Sequence, residues 1–166
     1  MKRHKHWHHK PNQFIDRRSM LTGSALVAAA GLNLPVSTKA QANEKPAIIQ
    51  PQTASDAAFI RRAFDMRQRA VDLGDQAYGA VIVKDDLIIG QSWSRVVVDG
   101  DPTAHAEMAA VRDAAMRNGP ANLRGATMYS SSRPCPMCEA ACYWAGIDGM
   151  VHGRSATNAG RPTLCW

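Results

Sequence analysis

No apolar run in this 166-residue sequence is long enough to cross a membrane. Its most apolar stretch, Ser24 to Val36, is interrupted by Gly31, Asn33 and Pro35 and falls short of the about 20 residues a spanning helix needs. A stable membrane span is therefore not expected. Repeats and low-complexity tracts are missing after residue 42, and the length suits one domain. Cysteine is scarce: Cys135, Cys138, Cys142 and Cys165 are the four in the chain. An excess of positive charge is also missing from most of the chain. Seven of the 20 basic residues but only one of the 14 acidic ones fall in residues 1–42, which leaves 13 of each beyond. Affinity for nucleic acid comes largely from Lys and Arg neutralising phosphates. A balanced domain argues against such a partner.

The charge sits where an export signal would put it. Lys2, Arg3, Lys5 and Lys10 open the chain, Arg17-Arg18 precede the alanine-rich stretch, and Ala40-Gln41-Ala42 has small residues at the positions a signal peptidase reads. The paired arginines point to the twin-arginine route. Residues 1–42 are thus expected to be a cleaved signal, 43–55 a proline-bearing linker, and 56–166 the domain, in the periplasm or otherwise exported. His4, His6, His8 and His9 lie in this disposable region and are not read as a metal site. An oxidising destination favours disulfides. A route that carries folded proteins instead allows thiols to be committed to a metal beforehand.

Beyond the linker, Phe59, Ile60, Ala63, Phe64, Met66 and Ala70 recur at helical spacing from the candidate cap Asp56 to Gly74. Tyr78–Val83 and Leu87–Gly90 read as a hairpin about Lys84-Asp85-Asp86. Gln91–Pro102 reads as a loop and Ala104–Arg117 as a helix. Gly125–Ser131 is expected as a strand, Pro136–Trp144 as a helix and Met150–Gly153 as the last strand. This order predicts an α/β domain with a mixed sheet and helices packed on it.

Two short motifs carry chemistry. His105-Ala106-Glu107 opens one predicted helix, and Pro134-Cys135-Pro136-Met137-Cys138 opens another. A C-x-x-C pair alone equally marks a redox dithiol or half a zinc knuckle, and a lone H-x-E carries little weight. Together they match the zinc deaminase signature, in which the Glu is not a ligand. His105, Cys135 and Cys138 fill three tetrahedral positions of a Zn2+ site and leave a fourth for water. Helix starts also favour the thiolates. Glu107 is placed to take a proton from that water and return it to the leaving amine. Cys142, one turn after Cys138, reads as a small buried side chain, because a fourth thiolate would close the site. His152 reads as structural or exposed.

From about Asp56 to Gly153 the chain resembles the cytidine and deoxycytidylate deaminase superfamily, specifically its guanine deaminase and tRNA adenosine deaminase branch. Asp101-Pro102-Thr103-Ala104-His105-Ala106-Glu107 and Pro134-Cys135-Pro136-Met137-Cys138 carry the resemblance, and Tyr143-Trp144-Ala145 looks like guanine deaminases. The resemblance implies a three-layer α/β/α domain lacking its C-terminal strand and helix, since relatives continue past the last expected strand. It implies a zinc-dependent hydrolase acting on a purine base or nucleoside, guanine foremost, and a homodimer. A tRNA or polynucleotide adenosine deaminase and an inactive zinc-stabilised binding protein are the competing readings. Ser94 stands where relatives place an Asn that touches the base, so it is the candidate substrate contact. Arg133 stands where an acid is usual.

Overall fold

The computed structural model describes residues 47–164. The export signal expected over 1–42, the start of the linker at 43–46 and Cys165 lie outside the described residues.

Helix α1 (Asp56–Asp72) starts where Ser55 caps it, the serine oxygen accepting the Ala58 amide at 3.2 Å. Asp56 in the first turn suits the positive end of the helix dipole and accepts the Tyr129 hydroxyl at 2.7 Å. Strands β1 (Gly79–Lys84) and β2 (Leu87–Trp93) form the expected hairpin. Asp85 and Asp86 have φ of 49° and 61°. Positive φ at both central residues is the turn whose twist matches paired strands, and Asp tolerates it better than most residues.

A four-residue helix α2 (Val96–Asp99), helix α3 (Ala106–Asn118) and a 3-10 turn at Pro120–Leu123 lead to β3 (Thr127–Ser130). Helix α4 (Pro136–Ala145) then crosses over to β4 (Gly149–His152), which lies parallel to β3. A parallel pair requires such a crossover. Strand β5 (Thr157–Gly160) completes the sheet, whose order is β2-β1-β3-β4-β5 with every other pairing antiparallel.

The period-2 alternation of β1 builds the two cores. Val81 and Val83 pack with Phe59, Ile60, Met66 and Ala70 of α1, joined by Tyr129 and Val151. Ala80 and Ile82 pack on the other face with Ala106, Ala110 and Ala114 of α3 and with Met128, Cys142 and Met150. The sheet is thus covered on both faces, giving the mixed α/β fold expected from the element order and the three layers that the resemblance implied.

Close approach sets one local requirement. A Cβ added to Gly90 of β2 would lie 2.5 Å from the Ala114 Cβ, so α3 rests directly on the strand there. Gly90→Ala is expected to lower the unfolding free energy by about 1–3 kcal/mol through overpacking. A urea titration with unchanged midpoint would contradict that packing.

Three stretches differ from the sequence reading. The loop expected over Gln91–Pro102 instead begins as strand, because β2 runs to Trp93, and it contains α2. Gln91 and Ser92 are polar yet buried, so hydrophobic patterning cannot mark them. Hydrogen bonds hold Gln91 in place: its amide donates to Asp113 Oδ2 at 3.1 Å and its Oε1 accepts Arg62 Nε at 2.8 Å. The strand at Met150 is not the last, because β5 pairs with it. All four β5 residues are exposed, which removes the apolar alternation that would reveal a strand. No helix among the described residues is long and apolar enough to cross a membrane.

Candidate metal centre and its cleft

His105 is the N-cap residue of α3 and Cys135 that of α4. Such positions favour Ser, Thr, Asp or Asn, whose side chains bond the free amides of the first turn. Neither His105 nor Cys135 makes that bond. Both side chains turn instead toward one point, where Cys138, one turn into α4, joins them. Pro136 supports this helix start because its fixed φ suits the first helical position and its missing N–H is not needed there.

The three side chains form an almost equilateral triangle. Cys135 Sγ and Cys138 Sγ are 3.6 Å apart, and each lies 3.6 Å from His105 Nδ1. Ligand bonds of about 2.3 Å for sulfur and 2.0–2.1 Å for nitrogen, set at tetrahedral angles, give edges of about 3.5–3.8 Å. The observed edges fit one face of such a tetrahedron. They are far longer than the about 2.05 Å of a disulfide, and both cysteines are free. His105, Cys135 and Cys138 can therefore hold a divalent metal through one nitrogen and two sulfurs.

Glu107 is buried near the start of α3, with Oε2 at 3.7 Å from Cys138 Sγ. Burial pushes its carboxyl above the ordinary range, against the opposing pull of its own backbone amide and of His105. Burial likewise raises the Cys138 thiol, and the neighbouring Glu107 charge adds to the rise. Two thiols and a carboxyl sharing one pocket are short of positive charge, and a cation reverses that condition. Cys142 is fully buried with Sγ 3.6 Å from Met128 Sδ, and burial pushes its thiol up to about 12. It is a core side chain, as its spacing suggested. His152 is half-buried on β4.

A cleft of about 450 Å³ opens over the cluster, lined by Gln76, Tyr78, Ser132 and Arg133 beside His105, Glu107 and Cys135. Ser94 is not among its lining residues. Its side chain is fully buried, and its hydroxyl donates to Asp75 Oδ1 at 2.7 Å. Asp75 Oδ2 accepts the amides of Val97 and Val98 at 2.9 Å each, while Oδ1 also takes the Gln76 amide at 2.7 Å. Ser94 and Asp75 thus anchor α2 and the start of the cleft wall. Gln76, Tyr78 and Ser132 escaped the sequence reading as site residues because they lie outside both motifs, and only the fold brings them to the cluster.

The chain matches the family described as the cytidine and deoxycytidylate deaminase zinc-binding region over residues 53–154. The guanine deaminase of Bacillus subtilis (strain 168) is 39% identical over 102 residues, covering 61% of this chain and 65% of that protein. Its crystal structure, at 40% identity, covers 57% of this chain and 61% of its own with a TM-score of 0.55. A probable cytosine deaminase of Schizosaccharomyces pombe is 37% identical over 103 residues, covering 62% of each chain. A tRNA-specific adenosine deaminase of Haemophilus influenzae is 37% identical over 106 residues, covering 63% of this chain and 61% of that one. The chain therefore spans less than two thirds of the length of these three relatives. Fold, metal triangle and sequence agree: the chain belongs to the cytidine-deaminase-like superfamily, closely related to its guanine deaminase and tRNA adenosine deaminase branches.

Proposed function

We propose that the protein is a zinc-dependent hydrolase that replaces the exocyclic amine of a purine, guanine foremost, by oxygen from water and releases ammonia. The observation that carries the reading is the 3.6 Å triangle of His105, Cys135 and Cys138 with the buried Glu107 carboxylate against it. A zinc ion held by those three residues would supply the Lewis acidity that makes water nucleophilic near neutral pH. Glu107 then moves the protons. Its carboxylate accepts one from the attacking water and returns it to the base, where it leaves with the amine as ammonia. In the metal-free protein burial raises the carboxyl's affinity for a proton, which suits the accepting step.

Names of relatives support the substrate class: a guanine deaminase and a tRNA-specific adenosine deaminase both act on purine rings. The balance of 13 basic and 13 acidic residues after residue 42 favours a small molecule over tRNA. The test is an ammonia-release screen over free bases, nucleosides, nucleoside monophosphates and tRNA on full-length protein of measured zinc content. Ammonia is expected from guanine or a related purine. With one zinc per chain and no ammonia from any of these, the proposal fails; release from cytosine alone would move it to pyrimidines.

A further inference from the structure

A second recess of about 630 Å³ adjoins the cleft over the cluster, with Gln76, Tyr78 and Ser132 lining both. Two arginines line this recess from distant parts of the chain, Arg67 from α1 and Arg154 from the turn after β4. Both guanidinium groups lie on one ring, Arg154 4.4 Å and Arg67 5.7 Å from the Phe64 centroid. Arg67 Nε donates to the Ala77 carbonyl at 3.0 Å, which fixes the plane of the guanidinium. No acidic side chain lines the recess, and neither arginine has an ion pair among the described residues. In the adjoining cleft Glu107 is the one acid among the described lining residues, and Arg133 lines the same wall.

Each guanidinium is drawn to the ring, yet both are left without an acidic partner in the recess, and an anion bound there would supply one. A neutral purine base, seated over the metal triangle, does not supply one. The surrounding chain does not explain the concentration either, since basic and acidic residues balance after residue 42. The two arginines place positive charge in a recess that shares a wall with the cleft over the cluster. Guanidinium groups are suited to phosphate, which they bind through paired charge-assisted hydrogen bonds. A phosphomonoester carries about −1.5 to −2 charges at neutral pH, which matches two arginines.

We infer that this recess receives the phosphate of a purine nucleoside monophosphate whose base reaches the metal cluster, so that the substrate is a nucleotide rather than a free base. The inference rests on the reading of the cluster as a purine deaminase centre. Arg67 and Arg154 hold the phosphate, and Gln76 and Ser132 line the path between it and the base. A polynucleotide would need a basic track extending beyond one recess, whereas a single phosphate needs only the two arginines.

Equilibrium binding tests this apart from turnover. GMP and guanosine are titrated against zinc-loaded full-length Glu107→Ala protein, with and without Arg154→Glu. Arg154 is exposed on a turn, and circular dichroism verifies that its variant is folded. GMP is expected to bind on the order of tenfold to hundredfold more tightly than guanosine. Arg154→Glu is expected to remove most of that ratio. Equal binding of the two ligands would overturn the proposal. So would a GMP preference that survives Arg154→Glu, since the phosphate would then sit elsewhere, or an RNA oligonucleotide that binds more tightly than GMP. An Arg154-dependent preference without ammonia release by the unmutated protein would keep the phosphate recess and remove the deaminase reading. Ammonia from guanosine with no preference for GMP would do the reverse.

Discussion

Replacing Glu107 with alanine is expected to lower ammonia release by at least about 10³-fold while the protein keeps one zinc per chain. General acid–base catalysis by one group contributes roughly 10²–10⁴-fold. Glu107 is asked to act twice, first as base and then as acid, so the upper part of that range applies. The metal should stay, because the triangle of His105, Cys135 and Cys138 is complete without the carboxylate. Stability should not suffer either. Glu107 is buried, and burial disfavours its charged form in the metal-free protein, so removing it relieves a cost. Glu107→Gln, nearly identical in size, should lose activity equally and thereby separate proton transfer from packing. Steady-state ammonia release and metal analysis on the same samples decide the matter. Activity within tenfold of the unmutated protein would remove Glu107 from the chemistry, and loss of zinc would make it a ligand instead.

Metal removal is the second large effect. A bound ion stabilises the folded state by about 4 kcal/mol when its free concentration is 1,000 times its dissociation constant. In a domain of this size that corresponds to a fall of about 10–20 °C in Tm on chelation. Thermal unfolding with and without a strong chelator measures it, and coincident melting curves would show that the triangle holds no stabilising metal. The effect also has a sign in pH. Burial holds the Cys138 thiol above its usual range in the metal-free protein, so protons compete with the metal for that sulfur. Binding must release them, and affinity should rise as pH rises from acid to mildly alkaline. Competition with a chelator at pH 6 and pH 8, corrected for the chelator's own protonation, should show tighter retention at pH 8.

The metal triangle was legible in the sequence because its ligands come from two local motifs. His105 and Glu107 are two residues apart, Cys135 and Cys138 three, and each pair opens a helix whose start the flanking residues signal. Cys142 could be assigned to the core from spacing alone. The stretches that escaped are those where the usual marks of structure are missing. Gln91 and Ser92 extend β2 as buried polar residues held by hydrogen bonds, and β5 pairs with β4 without burying a side chain. Ser94, expected as a substrate contact, turns its hydroxyl to Asp75, a partner 19 positions away. Arg67 and Arg154 share no motif, and only the packing of α1 beside the end of β4 sets both against Phe64.

The uncapped starts of α3 and α4 have a wider consequence. A side-chain cap makes each helix complete by itself, whereas His105 and Cys135 give that up and converge with Cys138. With an ion at their meeting point, two helices far apart in the chain share a single fastening. Supply of that ion would then bear on stability as well as on the proposed chemistry. Without the ion both helix starts would lack any side-chain fastening, and protection from proteases there is expected to fall. Loading and integrity become one checkpoint.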